Sequence, residues 1–129
     1  CSRALGPWEP GMDRDYALLL PQVVSKLFPD SATREQATRI LSSYGRESFH
    51  LEVERVHLGI LKLSGADLSA MESWTKLACD DFRDLLIEAE YRLSFGKDRL
   101  RETNPQKYEA LKKKEREQYD AWVAKVLAA

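Results

Sequence analysis

The chain has 129 residues, 32% charged and 43% apolar, with 20 basic against 21 acidic side chains. That length suits one domain with a real hydrophobic core, and no apolar run approaches the roughly 20 residues that a membrane-spanning helix needs. The near-zero net charge excludes a whole-protein field drawing in nucleic acid or an anionic membrane, and two cysteines, Cys1 and Cys79, are too few for a disulfide framework.

Residues 1–11 carry two prolines and two glycines and predict a flexible arm anchored only by Trp8. Met12 then reads as the native start, with the arm as an addition ahead of it. The other reading of Cys1 is a lipidated mature N-terminus, the one route by which a membrane would enter; otherwise the expected compartment is the cytoplasm. Residues 12–129 are expected to form a single helical domain.

From Asp13, apolar residues at Tyr16, Leu19, Leu20, Val23, Val24, Leu27 and Phe28 follow the i, i+3, i+4, i+7 series of an amphipathic helix, which Pro21 should kink or restart. Pro29-Asp30-Ser31 stops this helix and caps a second one, expected to end at Gly45. A third helix is predicted over 48–64, with apolar residues around so much of its circumference that it belongs at the centre. After the stop-and-cap sequence Ser64-Gly65-Ala66-Asp67, a fourth long helix is predicted over 67–95. Lys97 to Glu102 is a connector, and Asn104-Pro105 caps a last helix.

Residues 97–129 carry a net charge of +3 against −4 for the rest, and read as a charged C-terminal helical extension. In that helix the polar run Lys112 to Gln118 is expected to project or to lie across a partner. The fold class is therefore all-α, a small bundle of four to five helices with the third and fourth as a central antiparallel pair.

The sharpest chemical candidate is the segment holding both histidines, His50 and His57. Glu54 and His57 form Glu-x-x-His, which on a helix turns a carboxylate and an imidazole to one side. A dinuclear centre would need a third histidine that the chain lacks. The metal alternative is a mononuclear zinc or iron site from His50, Glu54 and His57, completed by an oxygen ligand such as Asp81. The ordinary alternative is a hydrogen-bonded His57 at the edge of an apolar face.

Asp80, Asp81, Asp84, Glu88 and Glu90 offer carboxylates for acid–base work or magnesium, but Arg83 and Arg92 lie close by and ordinary helix-surface pairing gives the same letters. No nucleophile signature or phosphate-binding glycine loop occurs, so no catalytic residue is assigned. The lysine run Lys112 to Lys114 is answered by Glu109, Glu115 and Glu117, which disfavours nucleic acid. Tyr108, Tyr119, Trp122 and Val126 on the last helix are the candidate interaction residues, for a homodimer or another protein partner.

The run from Glu54 to Leu68, ERVHLGILKLSGADL, followed by Asp81-Phe82-Arg83-Asp84-Leu85-Leu86 and Ala89-Glu90-Tyr91, resembles a group of small bacterial proteins of unknown function across the middle third of the chain. The resemblance implies a bacterial, cytoplasmic, helical protein and carries no activity. Where this chain has His57, those proteins commonly have arginine or another residue, which speaks against an essential ligand there. Asp81, Arg83, Asp84 and Glu90, with Tyr91, form a stretch more polar than packing requires. It is either a recognition patch or an ion-pairing group in which Arg55 or Arg83 meets a carboxylate across two helices. The expected function is a non-enzymatic, self-associating interaction or adaptor module; the alternative is a small metal-binding protein or metal-dependent enzyme.

Overall fold

A computed structural model describes residues 15–128. The expected arm over residues 1–11, the start at Met12 and the helix start at Asp13 lie outside the described residues. Within them the fold is all-helical, with seven α-helices, one π-helical segment and no strand.

Helix α1, Tyr16–Leu27, begins where the Asp15 carboxylate accepts the Leu18 N–H at 3.0 Å and buries Leu19 and Val23. It runs unbroken through Pro21. Helix α2, Ser31–Leu41, is capped by Asp30, which takes both the N–H and the hydroxyl of Thr33 at 2.9 Å.

The second helix ends at Leu41 rather than at Gly45, and the third begins at Val53 rather than near Ser48. Ser42 bonds back to the Arg39 carbonyl at 2.7 Å, a local alternative to helix continuation. Tyr44 then buries its ring and donates its hydroxyl to the Leu51 carbonyl at 2.6 Å, which draws 42–52 into a folded connection.

Helix α3, Val53–Ser64, ends at Gly65, whose φ of 60° is the left-handed conformation that lets its N–H reach the Leu61 carbonyl at 3.1 Å. Val56, Leu58, Ile60 and Leu61 are fully buried, and α3 packs against α1 and against the helical segments between residues 68 and 91. Helix α4, Leu68–Asp80, starts on the Asp67 carboxylate, which accepts from the N–H groups of Ser69 and Ala70.

The long fourth helix expected over 67–95 is instead three segments. Asp81 takes an extended conformation, gives its N–H to the Leu77 carbonyl, and accepts the Arg83 N–H on its side chain at 3.0 Å. One residue thus ends α4 and starts α5, Phe82–Leu86, because aspartate competes for backbone donors and favours caps over helix interiors. The π-helical segment Ile87–Tyr91 follows directly.

Helix α6, Asp98–Thr103, fills the expected connector, and α7, Pro105–Ala128, packs on α1 and on the π-helical segment as well as on α6. The core therefore receives Tyr119, Val123 and Val126 from the far end of the chain. No described helix is long and apolar enough to cross a membrane.

Candidate functional site

The two histidines do not share one helical face. His50 precedes α3, and its Nδ1 accepts the backbone N–H of Gly45 at 2.8 Å and of Glu47 at 3.3 Å. The ring stacks on Tyr44, with centroids 4.4 Å apart and planes 19° from parallel, while Phe49 meets it edge-on at 4.8 Å. His57 lies on α3 and donates from Nε2 to the Tyr44 carbonyl at 2.8 Å. Burial lowers the His57 pKa, against the upward pull of the Tyr44 and Leu41 carbonyls and of Glu54, so the ring is neutral near pH 7.

Glu54 is exposed and Asp81 is engaged as a double cap. Among the described residues no group of three histidine, cysteine, aspartate or glutamate side chains converges as a metal site would require. What unites Tyr44, His50 and His57 is an aromatic and hydrogen-bonded latch that folds 42–52 against α3. Cys79 joins its margin, with Sγ 3.6 Å from the Ser43 carbonyl and a thiol pKa pushed up by burial and by the Asp80 charge, against the opposing pull of Arg46.

A second polar group ties α3 to the π-helical segment. Arg55 meets Glu90 in a two-pronged pair, Nε at 2.8 Å and an outer nitrogen at 3.0 Å, and also donates to the Tyr91 hydroxyl. Its guanidinium lies over the rings of Tyr91 and Tyr16 at 5.4 and 5.8 Å. The Glu90 hydrogen bond raises the Arg55 pKa against its burial, which fixes the charge. The cross-helix pair anticipated for Arg55 or Arg83 is thus made by Arg55; Arg83 and Asp84 are exposed, and Arg83 sits only loosely near Asp81, at 3.8 Å.

Beside this pair lies a cavity of about 230 Å³ bordered by Lys112 and Glu115 of α7. Glu115, at 7% exposure, accepts the N–H groups of Leu93 and Ser94 at 2.8 and 2.9 Å and the Ser94 hydroxyl at 2.7 Å. It is the residue that sequence reasoning missed, since the run Lys112 to Gln118 was expected to project. The available signal was spacing: Glu115 falls four residues after Leu111 and four before Tyr119, inside the apolar stripe.

The candidate interaction residues divide by burial. Tyr119 and Val126, at 1% and 7% exposure, belong to the hydrophobic core and offer almost no surface. Trp122 is half-buried, edge-on to Tyr119 at 5.8 Å, and Tyr108 is half-buried beside Lys112. Among the described residues, the large apolar side chains that face outward are Phe49, Leu51 and Phe95, at 65%, 55% and 62% exposure.

Phe49 and Leu51 lead into α3, and Phe95 follows the π-helical segment whose Glu90 pairs with Arg55 of α3. The carboxylates of Glu90 and Glu115 are held by these hydrogen bonds. No protein-family model matches the chain, and neither does any curated protein or solved structure.

Proposed function

We propose that the chain is a non-enzymatic interaction module that self-associates through the end carrying Phe49, Leu51 and Phe95. The observation that carries this reading is the exposure of Phe49, Leu51 and Phe95 on segments tied through the Arg55 to Glu90 pair, because large apolar side chains left outside the core are candidates for contact with a partner. Phe49 is braced by His50, itself stacked on buried Tyr44, and the Phe95 N–H bonds to the Tyr91 carbonyl at 2.8 Å. In this reading α3 and α4 form the antiparallel centre of the bundle, and the outer loops present aromatic anchors already ordered for binding.

A second copy is the occupant that the charges favour. The −4 of the chain before Lys97 and the +3 after it let two copies approach without net repulsion. The test is the mass of the parent and of a Phe49→Ser/Phe95→Ser variant by sedimentation equilibrium. A dimeric parent and a monomeric variant of unchanged helicity are expected. A monomeric parent, or a variant of unchanged mass, would overturn the reading.

A further inference from the structure

A groove of about 530 Å³ opens between α1 and α2, with His57 of α3 among its lining residues. Leu20, Pro21 and Val24 of α1 and Leu41 of α2 give it apolar walls, and its size falls within the range of about 300–1,000 Å³ typical of small-molecule sites.

Two polar groups in this lining lack the partners that their chemistry calls for. Arg34 donates one guanidinium nitrogen to the Phe28 carbonyl at 3.2 Å and feels the charge of Asp30, whose carboxylate is hydrogen-bonded to the N–H and hydroxyl of Thr33 rather than to the guanidinium. The nearest acidic neighbour in the groove, Glu35, is drawn away to Arg39 at 3.2 Å. Neither carboxylate forms an ion pair with the Arg34 guanidinium, which is held by one carbonyl and still offers donors in the geometry that suits a carboxylate.

His57 supplies the complementary function. Its Nε2 faces the Tyr44 carbonyl, which can only accept, so the ring proton is on Nε2 and Nδ1 is left with its lone pair. No described group donates to that nitrogen. Burial keeps the ring neutral, which preserves Nδ1 as an acceptor at neutral pH. Apolar walls, one cation and one acceptor make up the few convergent polar groups on a hydrophobic surface that mark a ligand site.

We propose that the α1–α2 groove binds a small carboxylate with an apolar body and a hydroxyl or amide donor, its carboxylate on Arg34, its donor on His57 and its body along Leu20, Val24 and Leu41. The cation sets the sign of the ligand. The tautomer of His57 sets the direction of the second hydrogen bond, so a ligand offering only a further acceptor gains nothing there.

The experiment is a two-dimensional NMR titration of the full chain with octanoate, 3-hydroxyoctanoate and octylamine, each below its micelle concentration. Octanoate is expected to saturate shifts around Leu20, Val24, Arg34 and Leu41, and the hydroxyl to tighten binding by about two- to tenfold, the range of one added hydrogen bond. Octylamine is expected to bind at least about tenfold more weakly, since it meets the guanidinium with a like charge. Arg34→Gln, on the rim, should weaken both acids while leaving the fold intact by circular dichroism. His57→Phe, which keeps a ring but has no acceptor, should keep octanoate binding and erase the preference for the hydroxyl.

Equal binding of octanoate and octylamine, shifts confined to Phe49, Leu51 and Phe95, or the absence of saturation would overturn the proposal. So would a Val24→Ser variant that converts a dimer to a monomer, because a second copy would then be the occupant of the groove.

Discussion

Among single residues, Glu115 has the widest reach. Its carboxylate accepts two backbone N–H groups and a hydroxyl where the chain leaves the π-helical segment, donors that would otherwise be buried without partners. Glu115→Gln places an amide against those donors and should cost about 1–3 kcal/mol, read as a lower urea midpoint. His57 predicts a pH dependence whose sign follows from its lowered pKa. The unfolded chain, near the ordinary value of 6.5, binds the proton more readily than the folded one, so stability is full above that pH and falls as the pH drops toward the lower folded value. Urea midpoints taken from about pH 7.5 down to about pH 5 should decline in the parent and decline less in His57→Gln, whose amide can still donate to the Tyr44 carbonyl.

At the level of helices, Gly59 sets how closely α3 approaches the segments that follow α4. A Cβ built there would stand 2.9 Å from a Leu85 methyl and 3.1 Å from the Ala89 Cβ. Overpacking costs about 1–3 kcal/mol and the better helix propensity of alanine returns about 1, so Gly59→Ala should lower stability by about 1 kcal/mol in denaturant melts. The helices themselves were legible where caps and periodicity agreed. Asp30, Asp67 and Asn104-Pro105 announced their starts, Ser64-Gly65 its stop, and the all-round apolar pattern of α3 its burial. Legibility failed where one side chain outweighed the pattern. Asp81 reads as a helix-surface aspartate until its extended backbone is seen, and Tyr44 reads as one more apolar position until its hydroxyl reaches Leu51. The candidate site was legible in part for the same reason. The Arg55 pair was among the sequence expectations, but its partner Glu90 depends on a π-helical turn that no residue spacing announced.

For the molecule as a whole, the proposed association rests on apolar loops rather than on the uneven charge, and the two make different predictions for salt. A dimer held by Phe49 and Phe95 should keep its mass when salt is raised to about 1 M, where the screening length shrinks to about 3 Å, whereas one held by opposite charges would dissociate. The π-helical segment sets the rotational phase at which the chain leaves it toward Ser94. With about 100° of turn per residue in an α-helix, one residue taken up in a wider turn displaces each later side chain by about a quarter of a revolution. Ile87–Tyr91 therefore works like an offset coupling: upstream, Leu85 faces the core, and downstream, the chain arrives with Ser94 against Glu115. Deleting one residue there would leave a more regular helix pointing its next segment at the wrong neighbours.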